Sequence, residues 1–415
     1  MNLDASGKQE KTVVLVNRCM YLPGDGGYKR TMFLFDLMRR EGHKPILLTS
    51  DFNHYTKVQR DTQAFRKNYP EYNDIVILHT GTYSKNISLK RRIVEMQWTN
   101  GVINWVKNNL NDIDVIMMAM PDMDTILGVK KLCEDHKIEI VIDVRDLRPE
   151  VFKVLIKNEL LYKILTYPLK LKADRAYACA DKMVAVSEEY LNRGKVANSH
   201  ATVNKVIYIG SVLDKFDNGV TKYADTIIKS KNELWITYVG TLGTSYDLIT
   251  AIDAVHALKD RVYDGKKIRL MILGEGPDKK LFEEHTKIIN AGNVSFIGFV
   301  EYEKMAAYLS KTDITVNAIK KRASQSIINK VADYFAAGVP MLNGCTCQEQ
   351  IDMVIKYNVG LNYEPENVES LKDAITKLAT DPKLMEEMGR NARELAEKKF
   401  DRNITYKDLI NILYE

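Results

Sequence analysis

Lys330 and Asp333 lie three residues apart in the segment 327–342, in a predicted helix that Gly338 and Pro340 would end. Residues at this spacing share nearly one face of a helix. A lysine there can neutralise a diphosphate, and a carboxylate can accept two hydrogen bonds from a vicinal diol such as that of ribose. From residue types alone, the alternative is a surface ion pair between the two, worth roughly a few tenths of a kcal/mol.

Glycine-containing turns follow three predicted strands in the second half of the chain. Because the carboxyl ends of parallel strands meet at one edge of a sheet, these turns predict a nucleotide-sized pocket. Gly243 and its neighbours would contact a diphosphate through their backbone, and the backbone near Phe299 would contact the base. The candidate residues are Thr241 and Gly243 after 234–239, Gly274 and Gly276 after 269–273, and Phe299 and Val300 after 294–297.

A fourth glycine turn, at residues 23–27, follows the predicted strand 12–16 and precedes a predicted helix. Gly27, a donor-binding candidate, would let a ligand approach the backbone, and Tyr28, Lys29 and Arg30 directly after it are acceptor-side candidates. A plain tight turn is the alternative. The spacing is not G-x-G-x-x-G, so the dinucleotide fingerprint is absent.

Arg145 and Asp146 directly follow the predicted strand 139–144. They would therefore lie at the ligand-binding edge of the first sheet, where they are further acceptor-side candidates. The alternative is a buried pair in which the two side chains satisfy each other.

The elements that must position these residues alternate between strands and helices along the chain, which is typical of parallel α/β layers. At 415 residues the chain is too long for one core. We predict an α/β fold of two doubly wound, Rossmann-like domains that face each other across a cleft. The domains would span residues 1–210 and 211–400, and a helix at about 401–415 could pack back onto the first. The predicted strands are 12–16, 45–48, 74–78, 114–118, 139–144, 182–186, 205–209, 234–239, 269–273, 294–297, 314–317 and 339–342.

The composition is that of an ordinary globular protein, with 45% hydrophobic residues and a net charge of +5. This charge does not argue for nucleic acid as a partner. Five scattered cysteines predict free thiols in a reducing compartment. The sequence has no secretory apolar segment and no apolar run near about 18 residues, so we expect a cytoplasmic chain.

Two segments of the first half, 84–97 and 151–172, combine lysine and arginine with apolar residues. Helices of this kind can lie in an anionic membrane interface, which would place the protein peripherally on the inner face of the cytoplasmic membrane. For 151–172 the alternative is a core helix whose lysines extend to solvent.

The order and spacing of these motifs resemble those of family-4 retaining glycosyltransferases of the GT-B architecture, over about residues 13–403. The segment 145–150, RDLRPE, is similar to an R-D-L-W-P-E element of bacterial enzymes that build O-antigen and capsule, some of which transfer N-acetyl-fucosamine-type sugars from UDP donors. Asn329 and Lys330 before the helix resemble the same subset. The motifs that carry the family resemblance are Gly26-Gly27, 41–44, 186–187, 238–241, 273–277 and 333–340.

The resemblance implies an enzyme that transfers a hexosyl or N-acetylhexosaminyl group, with retention, from a nucleotide sugar to a glycan or lipid-diphosphate acceptor. The leaving diphosphate would take the acceptor's proton, so neither an enzymic base nor a cofactor is needed. The first domain would hold the acceptor, and the second would bind the nucleotide sugar, most simply a UDP-sugar. Two alternatives remain, a non-catalytic nucleotide- or sugar-binding protein and a nucleotide-sugar epimerase of the same fold.

The chain departs from the family pattern at its donor site. Gln325 and Asp333 stand where relatives carry the carboxylate pair E-x₇-E, and the arginine and lysine of the second-sheet glycine turn are missing. We expect Lys330 first, then Arg322 and Arg145, to supply positive charge to the diphosphate. Arg145, Asp146 and Lys330 are thus the predicted catalytic residues, and Gln325, Asn329, Arg322 and Asp333 complete the predicted donor site.

Asp122 and Asp124 match the D-x-D pattern that holds a metal ion in the other glycosyltransferase architecture. Asp112 and Asp114 match it too, at the start of the preceding strand, so the pattern is not specific. Asp122 follows Pro121 and fits the start of a helix. We expect structural roles for Asp122 and Asp124 and no essential metal.

Overall fold

The structure is a computed structural model that describes residues 11–26, 30–154, 156, 158–323, 327 and 329–415. The chain forms two compact units. The second unit is Tyr208–Thr405, and the first comprises the preceding residues together with Tyr406–Glu415. The main segment of the first unit ends at Ile207, close to the predicted boundary at residue 210.

The first unit contains a sheet of seven parallel strands in the order β5-β2-β1-β6-β7-β8-β9. A short antiparallel pair, β3 with β4, lies outside that sheet. The strands are β1 Val13–Val16, β2 Ile46–Ser50, β3 Phe52–Asn53, β4 Val58–Gln59, β5 Ile75–Leu78, β6 Val115–Met120, β7 Glu139–Val144, β8 Lys182–Ala185 and β9 Val203–Val206. The helices are α1 Arg30–Arg40, α2 Thr62–Asn68, α3 Leu89–Asn108, α4 Met123–Cys133, α5 Glu159–Tyr177 and α6 Glu188–Ala197.

Helices cover both faces of this sheet, which explains why its strands are apolar without alternation. In β1, Val14 and Val16 face a core shared with α3, α4, α5 and α6. Val13 and Leu15 point to the opposite face, where their core includes residues of α1 and the buried Tyr406, Leu409 and Leu413 near the end of the chain.

The second unit contains another sheet of seven strands, in the order β11-β12-β10-β14-β15-β16, with β13 also paired to β12. All its pairs are parallel except β11 with β12. The strands are β10 Glu233–Val239, β11 Val262–Tyr263, β12 Lys266–Leu273, β13 Val294–Gly298, β14 Ile314–Ala318, β15 Met341–Gly344 and β16 Gly360–Asn362. The helices are α7 Leu213–Tyr223, α8 Leu248–Ala257, α9 Lys279–Ile288, α10 Tyr302–Ser310, α11 Lys330–Ala336, α12 Gln348–Tyr357, α13 Val368–Ala379 and α14 Pro382–Leu395. A last helix, α15 Arg402–Tyr414, begins in the second unit and continues into the first at Tyr406.

The predicted fold class is confirmed: the chain is α/β, with two Rossmann-like units built on parallel sheets. The prediction missed the short strands β3, β4, β11 and β16, because two or three residues are too few to show an apolar pattern. Helix α14 ends at Leu395, and the chain continues as a π-helical turn over Ala396–Phe400.

Candidate functional site

The glycine turns of the second unit lie side by side at the carboxyl edge of its sheet. The Gly240 N–H donates to the Leu273 carbonyl at 2.9 Å, and the Gly274 N–H donates to the Gly298 carbonyl at 2.8 Å. The parallel order of β10, β12 and β13 brings the three turns into this backbone contact. The sequence predicts the same convergence.

Two of the predicted donor residues are glycines because the turns pack against each other. Gly274 has a φ of +141°, and a Cβ atom there would lie 1.9 Å from the Gly240 carbonyl oxygen. A Cβ atom on Gly276 would lie 2.3 Å from the Leu242 carbonyl oxygen. Loop packing alone therefore explains both glycines, and their identity is not in itself evidence for a ligand.

The other residues of these turns differ in exposure. Thr241 is exposed, and its carbonyl accepts the Tyr238 hydroxyl at 2.8 Å. Gly243 is buried and Val300 is half-buried, whereas Phe299 is 70% exposed. A flat apolar side chain held open beside the turns offers a surface on which a base or sugar ring can stack.

Lys330 extends from the start of α11 over the first glycine turn. Its Nζ lies 2.9 Å from the Tyr238 hydroxyl and 4.2 Å and 4.0 Å from the ring centroids of Tyr238 and Tyr246. A Cβ atom on Gly240 would come within 2.4 Å of this Nζ. Among the residues that the structure describes, no carboxylate forms an ion pair with the ammonium group, and burial lowers its pKa. Lys330 is therefore a half-buried cation that no carboxylate of the described residues neutralises.

A tyrosine holds α11 against the end of β10. The Tyr334 hydroxyl accepts the Val239 N–H at 2.9 Å and donates to the Val239 carbonyl at 3.3 Å. This pair of bonds fixes the helix that carries Lys330 next to the glycine turn.

Asp333 makes different contacts from Lys330, one turn along the same helix. Its Oδ1 accepts the Ser211 hydroxyl at 2.7 Å and the Tyr302 hydroxyl at 2.8 Å. Burial raises its pKa to about 6, although both hydrogen bonds oppose that shift. The predicted alternative, an ion pair between Lys330 and Asp333, is wrong because the two side chains have separate partners.

Some predicted donor and acceptor-side residues carry little structural information. Gln325, Gly27, Tyr28 and Lys29 lie outside the described residues. Arg322 and Asn329 are exposed, and neither forms a side-chain hydrogen bond or ion pair within the described parts of the chain. The roles of all six residues therefore stay predictions.

In the first unit, Arg145 binds Asp143 and not its neighbour Asp146. The Arg145 Nε donates to the Asp143 carboxylate, and its Nη1 donates to the Thr31 hydroxyl at 2.7 Å. Asp146 is exposed. The predicted alternative of a mutually satisfied Arg145–Asp146 pair is therefore wrong, and Asp146 is available to a ligand.

Arg30 also binds Asp143, in a buried cluster. Its Nε and Nη2 each lie 3.2 Å from an Asp143 oxygen, and its Nη1 donates to the Tyr406 hydroxyl at 2.9 Å. Burial alone would raise the pKa of Asp143, but Arg145 and Arg30 hold it below its ordinary value. With 5% of its surface exposed, Arg30 serves the packing of the domain, which corrects its prediction as an acceptor-side contact.

The two carboxylates of the D-x-D segment point to separate partners. Asp122 accepts the Trp98 indole N–H at 2.6 Å, and Asp124 forms an ion pair with Lys172. Burial raises the pKa of Asp122, against the effect of Arg18. Within the described residues, no group of three His, Cys, Asp or Glu side chains is placed to hold a metal ion.

The sequence prediction missed the hydroxyl groups that surround the two charged residues. Tyr238 and Tyr246 flank the first glycine turn in the sequence, and this position could have identified them as site residues. Ser211 and Tyr302 gave no local signal, because they lie 122 and 31 residues before Asp333 in the chain.

Comparison with known proteins adds a family match and a set of structural neighbours. Residues 221–395 match the family model described as Glycosyl transferases group 1. The chain is similar to the capsular polysaccharide biosynthesis glycosyltransferase CapM of Staphylococcus aureus, at 21% identity over 241 residues. That match covers 56% of this chain and 61% of the relative, which is less than two thirds of its length.

Solved structures resemble the fold over nearly its whole length. HepE of Anabaena in complex with UDP has a TM-score of 0.69 at 13% identity, with 97% of this chain and 99% of that chain covered. WaaG, a glycosyltransferase involved in lipopolysaccharide biosynthesis, has a TM-score of 0.65 at 14% identity, with the same coverage. At these identities the likeness establishes the GT-B fold class alone.

Proposed function

We propose that this chain is a retaining glycosyltransferase that moves a sugar from a nucleotide sugar, most simply a UDP-sugar, to a glycan or lipid-linked acceptor of a bacterial surface polysaccharide. The observation that carries the proposal is the Lys330 ammonium group, which lies half-buried over the first glycine turn with no carboxylate of the described residues paired to it. A nucleoside diphosphate would supply that charge. The family match over 221–395 and the similarity to CapM support the same reaction class.

The proposed chemistry needs positive charge on the leaving group more than covalent machinery. Lys330 would stabilise the negative charge that develops on the departing diphosphate, which then takes the acceptor's proton on the face that the sugar leaves. Asp333 would bind the ribose diol through Oδ2, because Oδ1 already accepts two hydroxyl groups. Arg145 would contact the acceptor through Nη2, the nitrogen that Asp143 and Thr31 leave unused.

The sugar transferred would be a hexose or an N-acetylhexosamine, and the resemblance of 145–150 favours an N-acetyl-fucosamine-type donor. We propose that no metal ion is required, since Asp122 and Asp124 have structural partners. Transfer should then continue in EDTA, and loss of activity that added Mg²⁺ or Mn²⁺ restores would contradict this part of the proposal.

The test is to titrate the purified chain with UDP and GDP and to assay UDP- and GDP-sugars for release of free nucleotide. Lys330→Met should weaken UDP binding by about tenfold or more, because one charge-assisted contact is worth about 1.4 kcal/mol or more. Lys377→Met is the matched control, since Lys377 is exposed on α13. Unchanged UDP affinity in Lys330→Met would remove Lys330 from the site, and no binding of any nucleotide would overturn the proposal.

The product separates the two alternatives. An epimerase converts the nucleotide sugar to its isomer without releasing nucleotide, and a binding protein gives a thermal shift without either product. Slow release of free nucleotide, with a sugar of retained anomeric configuration, is expected here.

We further propose that the first domain docks peripherally on an anionic membrane through α3 and α5. On α5, six large apolar side chains have between 39% and 69% of their surface exposed, which contradicts the alternative of a core helix. Lys163, Lys170 and Lys172 lie among them and pair with Glu159, Asp174 and Asp124, so burial of the apolar side chains would supply most of the contact. The exposed apolar residues of α5 are Leu160, Leu161, Ile164, Leu165, Tyr167 and Leu171.

The start of α3 presents a second surface of the same kind. Ile87, Leu89, Ile93 and Met96 are exposed beside Lys90. Both helices belong to the same core cluster and begin after the carboxyl ends of strands β5 and β7, so their exposed first halves lie at one end of one face of the sheet. None of the described helices is long and apolar enough to span a bilayer.

Sedimentation with vesicles tests this docking. The chain should bind phosphatidylglycerol-containing vesicles and lose most of that binding in the double variant Ile164→Ser, Leu165→Ser. Ile288→Ser, at an exposed position on α9 of the second domain, is the control. Equal binding by all three proteins, or no binding to anionic vesicles, would contradict the membrane contact.

A further inference from the structure

A group of cations that the donor site does not use lies at the carboxyl edge of the first sheet. Arg18 follows β1, Lys57 lies between β3 and β4, Arg91 is in the first turn of α3 and Arg148 follows β7. They come from segments far apart in sequence, so only the fold assembles them.

Tyr83 and His54 lie at the centre of this cationic cluster. Lys57 Nζ lies 4.8 Å from the centroid of the Tyr83 ring, and the Arg91 Cζ lies 5.8 Å from it. The His54 Nδ1 contacts the Tyr83 hydroxyl and lies 3.4 Å from Lys57 Nζ. Burial and then the neighbouring cations lower the pKa of His54 to about 4, so the imidazole is neutral near pH 7.

The acidic groups nearby do not balance these cations. Glu95 alone serves three arginines, since it accepts from Arg18 at 3.2 Å, from Arg91 at 2.9 Å and from Arg92 at 3.1 Å. The other two acids are Asp146, which is exposed, and Asp122, whose pKa burial raises. The four cations of the cluster thus face three acids of the described residues, which leaves an excess of positive charge for an anionic ligand.

Arg148 is the cation of this cluster whose guanidinium group has no partner among the described residues. Its side chain is half-buried, and it forms no hydrogen bond or ion pair with any residue that the structure describes. Burial, and then Arg91, lower its pKa, so its charge is unfavourable without a partner. A half-buried guanidinium group matches the geometry of a bidentate phosphoryl contact.

An exposed aromatic surface lies beside the cations. Tyr21 and Tyr55 stack with ring centroids 4.4 Å apart and planes 11° apart, and 51% of Tyr55 is exposed. The Tyr55 hydroxyl donates to the Cys19 carbonyl, next to Arg18. A flat tyrosine ring can pack against the apolar face of a pyranose.

We propose that the cationic cluster around Arg148 binds a phosphoryl group of the acceptor, and that Tyr55 packs on the sugar next to it. The acceptor is then a sugar phosphate or a lipid-linked sugar diphosphate, not an uncharged glycan. This deepens the proposed transferase function by naming the acceptor's chemistry, although the binding site itself stands on the residues of the first domain alone.

The test is calorimetric titration of the whole chain with inorganic pyrophosphate, in the Lys330→Met variant so that the donor site does not contribute. Adding Arg148→Gln to that variant should weaken pyrophosphate binding by about tenfold or more, whereas adding Arg175→Gln, an exposed arginine of α5, should leave it unchanged. The melting temperature of each protein checks that Arg148→Gln still folds.

The outcomes separate this inference from the donor-site proposal and from the membrane surface. Pyrophosphate binding that depends on Arg148, in a chain that binds no nucleotide, would keep the anion site and overturn the transferase. No binding of pyrophosphate, or binding that Arg148→Gln does not change, would overturn the anion site. Vesicles that lack diphosphate should bind the Arg148→Gln chain as well as the wild type, and weaker binding would reassign Arg148 to headgroup contact.

Discussion

Lys330 is a lysine whose surroundings disfavour its charge. Burial lowers its pKa and no described carboxylate compensates, while the two tyrosine rings that face the ammonium group offset only part of that cost. Such a group is costly in the free protein, and the proposed diphosphate would compensate its charge.

This arrangement predicts that UDP binding takes up a proton. The pKa of Lys330 is low in the free protein and should rise beside a diphosphate, so at a pH between the two values the complex holds the additional proton. UDP affinity should therefore fall as pH rises through that interval. Calorimetry in buffers of different ionisation enthalpy measures the uptake, and Lys330→Met should abolish it. Equal uptake in that variant would assign the proton elsewhere.

At Asp333, we expect the negative charge to lower the stability of the fold but to favour UDP binding. Its pKa of about 6 exceeds the ordinary 3.8, so the folded protein binds this proton more tightly than the unfolded chain does. The resulting stabilisation is complete at low pH and is lost as pH rises from about 4 to about 6, so that ionised Asp333 costs at most about 3 kcal/mol at neutral pH.

Asp333→Asn keeps an oxygen for Ser211 and Tyr302 but removes the charge. The variant should melt at a higher temperature than wild type at pH 7.5 and at nearly the same temperature at pH 4, while its UDP affinity falls. Thermal melts at both pH values and a UDP titration measure this. A variant that melts lower at pH 7.5 would show that the carboxylate stabilises the fold.

At the scale of elements, the carboxyl edge of the second sheet is built from glycine turns whose backbones pack directly against each other. Gly274→Ala would place a Cβ atom 1.9 Å from the Gly240 carbonyl oxygen at a φ of +141°. We expect a loss of about 3 kcal/mol in the free energy of unfolding of the second domain, from overlap and backbone strain together. Urea denaturation measures it.

Gly292→Ala is the matched control, because a Cβ atom there meets nothing within 4 Å. It should change the free energy of unfolding by less than about 1 kcal/mol. A loss in Gly274→Ala as small as that in Gly292→Ala would mean that the turns after β10 and β12 can move apart at little cost.

At the scale of the whole molecule, the last residues of the chain complete the first domain. Tyr406, Leu409 and Leu413 are fully buried in the core with α1, and Lys182 donates to the Ile412 carbonyl at 2.8 Å. Each large apolar side chain removed from a core costs about 2–5 kcal/mol, and domains are stable by only about 5–15 kcal/mol.

Deletion of residues 406–415 should therefore unfold the first domain and leave the second folded. Differential scanning calorimetry should lose one transition, and limited proteolysis should leave a fragment from within 208–405. Deletion of Glu415 alone, an exposed residue, is the control. A deleted chain that retains both transitions would contradict this role for the segment.

The sequence by itself determined the parallel α/β class and the convergence of the glycine turns, and it predicted Lys330 and Asp333 as site residues. These features are local, since apolar runs, turn glycines and helical spacing are visible within a few residues. It could not determine what each charge contacts. The contact of Arg30 with Asp143 and that of Ser211 with Asp333 join residues 113 and 122 apart, and the cluster around Arg148 draws on separate segments of the first domain. Only the tertiary structure decides such contacts, because burial and neighbouring charge are properties of the folded chain that no short stretch of sequence contains.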